Sequence, residues 1–265
     1  MISIDFNKYK RFFAFGCSFT SHIYPTWADV MSSEMPNAEY HNLGCSGGGN
    51  LFITVRLAEA NMRFNFNKDD LIMVMYSTFY REDRWFDGGW KLGGNIYNNV
   101  TYDDAFVRKY ADPAGYVIRD LALIESSRRY IESLECDSHF MMATGWDCER
   151  KHGDFGGHIE KEAFAIYEKT LTKFHPSLFD LEFGNAWSTQ VSYLNNEGHL
   201  MHDPHPRPRR YKNYLEKIGM PLTQASEDYV QNVEDRLSYC KTHKDLEREF
   251  AREWKIRDIA YENMF

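Results

Sequence analysis

No apolar run approaching the ~18 residues of a membrane-spanning helix occurs in this 265-residue sequence. No membrane partner is therefore expected. A disulfide pattern is missing as well. The five cysteines, Cys17, Cys45, Cys136, Cys148 and Cys240, are odd in number and irregularly spaced, with no Cys-x-x-Cys pair. Free thiols in a reducing compartment, and hence a cytoplasmic protein, are the expectation. Residues Met1 to Arg11 include Asp5, Lys8, Lys10 and Arg11, which does not fit a signal peptide. An excess of basic charge is also missing. The net charge of −8 argues against a nucleic-acid groove, and the cluster Arg207, Arg209, Arg210, Lys212 reads as charge at a helix start. No Gly-Lys-Ser/Thr follows a glycine cluster, so a nucleotide P-loop is not expected. Internal repeats and low-complexity linkers are absent.

What is present is a large aromatic share, 16% of residues. Such rings fill a core or line a groove, and packing is the plainer reading. The chain is long enough to bury roughly three quarters of its unfolded surface, so it needs neither disulfides nor a metal to fold. Residues 11–16, 39–43, 71–76 and 139–143 read as strands, with the apolar run at 71–76 the clearest. Helical spacing predicts helices at 26–35, 51–64, 114–134, 159–174 and 211–218. Strand alternating with helix argues for a parallel sheet covered on both faces. Residues 80–112 and 147–157 interrupt the rhythm as polar insertions, and insertions after strands often carry specificity. Residues 175–202 read as irregular. The charged tail from Ser226 to Tyr261 is amphipathic, with Val230, Val233, Leu237, Tyr239 and Cys240 on its apolar side.

Three segments carry candidate chemistry. Phe15-Gly16-Cys17-Ser18-Phe19-Thr20 follows the first strand, where ligands of open α/β folds bind. Gly44-Cys45-Ser46-Gly47-Gly48-Gly49-Asn50 follows the second. Asp203-Pro204-His205-Pro206 precedes the helix at 211. A serine attacks only when a base takes its proton, and a carboxylate orients that base. Ser18 fits the nucleophile, His205 the base and Asp203 its partner. The N–H groups of Ser18 and Gly47 fit oxyanion donors, because a residue without Cβ allows close approach.

These segments resemble the SGNH (GDSL-like) hydrolases. The first matches the family's opening block, with Cys17 in the usual Asp position. Asn42 to Asn50 matches the second block, whose oxyanion glycine falls on Gly47. Asp203-Pro204-His205 matches the last block, with Asp-x-His in place of Asp-x-x-His. The third block departs: the Asn that completes the family's oxyanion hole falls on Phe79, which cannot donate. Ser77, Thr78 and Arg81 remain as substitutes. The resemblance implies a three-layer α/β/α sandwich with a flavodoxin-like parallel sheet over residues 1–220, the insertions included. Residues 221–265 are expected to form a helical extension packed on the core or a partner. It also implies an esterase acting through an acyl-serine without a cofactor. The implied substrate is a small-molecule or carbohydrate ester, with carbohydrate deacetylation as one form of the activity and Asn50, Arg81 and Trp85 as expected substrate contacts.

Other readings remain open. Ser18 also suits a helix cap. The glycine cluster suits a positive-φ turn or an anion cradle at a helix start. Asp203 and His205 also suit a proline-rich surface turn. His199, His202 and His205, three apart, suit a divalent metal, although Pro204 and Pro206 preclude a regular helix through them. Phe79 suits a binding protein that has lost turnover.

Overall fold

The computed structural model describes residues 4–98, 101–145, 158–184, 188–251 and 253. Its strands are β1 (Arg11–Phe15), β2 (Glu39–Asn42), β3 (Asp70–Tyr76), β4 (Arg81–Phe86), β5 (Gly89–Asn95), β6 (Asp137–Met142), β7 (Val191–Leu194) and β8 (Leu200–Asp203). Its helices are α1 (Trp27–Ser33), α2 (Asn50–Phe64), α3 (Asp104–Tyr110), α4 (Pro113–Glu132), α5 (His158–Ile166), α6 (Glu168–Leu171), α7 (Leu178–Glu182), α8 (Pro208–Lys217), α9 (Gln224–Tyr239) and α10 (His243–Glu249).

The central sheet has the order β2-β1-β3-β6, all parallel. Every residue of β3 is buried, as a strand covered on both faces requires. Alternate side chains go to opposite layers. Phe12, Ala14, Leu71, Met73 and Met75 pack with Trp27 and Val30 of α1, Tyr211 and Leu215 of α8, and Val230 of α9. Phe13, Phe15, Ile72, Val74 and Tyr76 pack with Ile53 and Leu57 of α2 and Leu121 and Ile124 of α4. The result is a three-layer α/β/α sandwich. Its sheet has the strand order of a flavodoxin-like fold as far as four strands go.

The polar stretch 80–112 contains the antiparallel hairpin β4–β5 and the short helix α3. The expected insertion at 147–157 lies outside the described residues. Residues 175–202 are not irregular: they hold α7 and the hairpin β7–β8. Leu200 and Met201 of β8 are exposed in succession, so that strand lacks the inward–outward alternation by which a strand is recognised. The expected helix at 159–174 is divided at Tyr167 into α5 and α6.

The described part of the tail packs on the core. Val233, Leu237, Cys240, Leu246 and Phe250 enclose Tyr24 and Val191. Tyr239, placed on the apolar face by spacing, is instead 80% exposed. The basic cluster is engaged within the chain: Arg207 and Arg209 meet Glu234 and Glu227 of α9, Lys212 meets Glu216, and Arg210 donates to the Glu182 carbonyl. Among the described residues, no helix is long and apolar enough to cross a membrane.

Candidate active site

Ser18 lies just past the carboxyl end of β1, in a turn closed by the Thr20 and Ser21 N–H groups donating to the Cys17 carbonyl. It does not cap a helix. α1 begins at Trp27, where the Thr26 N–H donates to Asp29 Oδ2 at 2.7 Å. Asn42, ending β2, joins this turn to the glycine loop. Its Nδ2 donates to the Thr20 carbonyl at 2.8 Å and its Oδ1 accepts from the Gly44 N–H at 3.1 Å. Gly16 and Gly44 both press on the Thr20 side chain, where a Cβ would approach to 2.0 and 2.8 Å. Neither tolerates a larger residue without moving the turn that carries Ser18.

Three side chains converge past the carboxyl end of β1. Ser18 Oγ lies 2.8 Å from His205 Nε2, and His205 Nδ1 lies 2.6 Å from Asp203 Oδ1. Asp203 Oδ1 also accepts the His205 backbone N–H at 2.8 Å. That Asx-type turn lets the Asp-x-His spacing aim both side chains. The Tyr24 hydroxyl donates to the His205 carbonyl at 2.9 Å, and Phe19 lies against the His205 ring, centroids 5.0 Å apart. Burial raises the Asp203 carboxyl pKa. The hydrogen bonds from His205 and His22 outweigh it and hold the group well below the usual carboxylate range. The charge is therefore in place to orient and stabilise an imidazolium.

His22 is a member of this site that sequence reasoning missed. Its Nε2 lies 2.8 Å from Asp203 Oδ2 and its ring stacks on His205. It stands in the irregular segment between the Ser18 turn and α1, where no periodicity marks it, and its bond to Asp203 joins residues 181 apart.

Gly47 has φ +80°, and a Cβ there would lie 2.6 Å from the Leu92 carbonyl oxygen. Its carbonyl accepts the Gly94 N–H at 3.2 Å. Among the described residues, neither the Ser18 N–H nor the Gly47 N–H has a hydrogen-bond partner. Unpaired backbone donors of this kind are the raw material of an oxyanion hole. The cradle reading of the loop fails, because the start of α2 is already occupied. Gly49 has no side chain to cap it, and Asp83 of β4 reaches across instead. Its Oδ1 accepts the Gly49 N–H at 2.8 Å and its Oδ2 the Phe52 N–H at 3.0 Å.

The remaining sequence candidates are scattered. Asn50 is fully buried, with its side chain engaged by the Ser77 backbone and Asp120. It clamps α2 to the end of β3 and does not face a substrate. Ser77 Oγ is sealed from solvent, without a partner among the described residues. Phe79 is turned into the core against Phe164. Arg81 donates to the Gly48 carbonyl at 3.1 Å and to Thr78 Oγ1 at 3.2 Å, bracing the glycine loop. Trp85 is half exposed on the β4–β5 hairpin, edge-on to Trp90.

The histidine trio expected as a metal candidate does not converge. His199 sits beside Glu197 and His202 beside Ser192, both exposed on the β7–β8 hairpin. Among the described residues, the donor atoms of His22, Asp203 and His205 lie within 4.8 Å of one another. Their rings do not suit an ion. The two imidazoles are stacked 4.0 Å apart with 23° between planes, so an ion placed between them would lie well out of the plane of at least one ring. They cannot both meet one cation at the ~2.0–2.1 Å of a zinc–imidazole bond.

No family model matches the chain, and no curated protein does. Solved structures similar to it include a lipolytic protein of the G-D-S-L family from Veillonella parvula. That structure is 11% identical with a TM-score of 0.44, over 80% of this chain and 99% of that one. A GDSL-like lipase from Bacteroides thetaiotaomicron is 14% identical with a TM-score of 0.42, over 83% and 89%. An alpha/beta hydrolase enzyme from the metagenome of Lake Arreo, Spain, is 11% identical with a TM-score of 0.39, over 81% and 97%. At these identities and scores the likeness carries no functional argument. The functional reading rests on the residues of the site.

Proposed function

We propose that the chain is a divergent SGNH-type serine hydrolase that cleaves esters through an acyl-serine intermediate. The observation that carries this is the continuous relay Ser18 Oγ–His205 Nε2 at 2.8 Å and His205 Nδ1–Asp203 Oδ1 at 2.6 Å. Ser18 Oγ attacks the ester carbonyl as its proton passes to His205 Nε2. Asp203 holds Nδ1–H and stabilises the imidazolium. The Ser18 and Gly47 N–H groups stabilise the oxyanion. Collapse of the tetrahedral intermediate breaks the ester C–O bond, and the leaving alcohol takes the proton from Nε2. Water, deprotonated by His205, then attacks the acyl-serine and releases the acid and Ser18.

The reading extends to the substrate class. A small-molecule or carbohydrate ester, with a short acyl group such as acetyl, suits a site whose Gly47 loop packs against the β4–β5 hairpin, which carries Trp85 and Trp90. Ser77 Oγ acts as a third donor only if it becomes exposed on substrate binding. Without that donor, a cost of about 3–4 kcal/mol in barrier is expected relative to a complete hole.

A second reading, a binding protein without turnover, is favoured by one observation: Phe79, at the sequence position where the resemblance expects an Asn donor, is buried in the core. Hydrolysis of p-nitrophenyl acetate separates the two. Turnover by the wild type that disappears in Ser18→Ala supports the enzyme. No turnover by the wild type supports the binding protein.

A further inference from the structure

We propose that His22 is a positioning residue that holds the triad carboxylate from its second oxygen. The inference rests on the serine-hydrolase reading. Asp203 is 7% exposed, so each of its oxygens needs a donor. Oδ1 has two, the backbone N–H and ring Nδ1–H of His205. Oδ2 has His22 Nε2 at 2.8 Å. An ionised carboxylate only accepts, so this contact fixes His22 with its proton on Nε2.

The stack makes the arrangement directional. His22 lies face to face with His205 on one side, and Tyr24 meets the His22 ring edge-on at 90°, centroids 4.5 Å apart. Phe19 meets the His205 ring at 44°. Asp203 is thus pinned against rotation about its carboxyl axis, and His205 against tilting away from Ser18. If the His22 donor is removed, Oδ2 is buried without a partner. The carboxyl group then gains by turning toward another donor, which takes Oδ1 out of line with His205 Nδ1. The effect falls on the proton-transfer step and not on substrate binding.

Two variants separate the bond from the ring. His22→Phe keeps a flat ring on His205 and removes the N–H; His22→Gln keeps an N–H donor and removes the ring. The readouts are p-nitrophenyl acetate kinetics and the His205 Nδ1 proton resonance in the full chain labelled with 15N-histidine. In His22→Phe, kcat falls on the order of tenfold while KM stays within about twofold, the pattern of a lost transition-state interaction. The Nδ1 resonance moves in the same variant. In His22→Gln both return toward wild type. An unchanged kcat and resonance in His22→Phe, or equal losses in both variants, would overturn the proposal. The resonance is read whether or not the protein turns over, so a silent wild type counts against the hydrolase reading while His22 is still judged.

Discussion

His22 and His205 stack face to face, 4.0 Å apart, and direct ring nitrogens at opposite oxygens of one buried carboxylate, Asp203. This geometry supports a proton relay and disfavours a metal centre, because an ion between the stacked rings would lie well out of the plane of at least one of them. Turnover of p-nitrophenyl acetate should accordingly be unchanged after exhaustive treatment with EDTA. Loss of activity that added zinc restores would contradict it.

Stability should depend on pH through two carboxyls of opposite sense. Asp203 is held well below its unfolded value, which is about 3.9. Its contribution is present above about pH 4 and is lost as the pH falls below that, where the unfolded chain binds the proton first. Asp120 behaves in reverse. Burial, only partly offset by Arg119 and Asn50, raises it to about 6. The folded chain holds its proton between about pH 4 and 6, so stability declines as the pH rises through that window. Urea unfolding across a pH series should show Asp203→Asn flattening the acid limb below pH 4. Asp120→Asn should flatten the slope between 4 and 6.

Asp83 links the β4–β5 hairpin to the glycine loop. Burial raises its carboxyl pKa while the Phe52 and Gly49 N–H groups lower it, and the net shift is upward. Asp83→Ala leaves both N–H groups buried without their acceptor. It should destabilise the chain by about 1–3 kcal/mol and lower kcat by loosening the Gly47 loop. Thermal unfolding and steady-state kinetics check the two effects.

Glu234 of α9 performs a similar service for the segment after His205. Arg207, at the start of α8, offers no capping side chain, and Glu234 accepts the Arg209 N–H at 3.0 Å and Arg207 Nε at 2.7 Å. Glu234→Ala should cost about 1–2 kcal/mol of stability. Its kcat should fall more than its KM rises, because the segment it anchors carries the base. Denaturant unfolding beside Michaelis kinetics measures both.

Much of this was legible in the residues. β1 and β3 announce themselves as apolar runs, β2 and β6 by their place in the strand–helix rhythm, and Ser18, Gly47 and the Asp203–His205 pair stand at strand ends and in a tight turn. β8 was not legible, because its exposed Leu200 and Met201 hide the alternation, and β7 is only four residues long. Asn50 was misread as a substrate contact, because a polar residue after a glycine loop looks solvent-facing until Asp120 is brought to it from α4. His22 and Asp83 act through partners far along the chain, and no local pattern records such a contact.

The central claim is that Ser18 is an activated nucleophile. Its most direct test is the intact mass of the protein after exposure to a fluorophosphonate, with the adduct located by peptide mapping. The account predicts one phosphonyl group on Ser18, absent in Ser18→Ala and strongly slowed in His205→Ala. An unmodified wild-type chain, or an adduct on another residue, would contradict it.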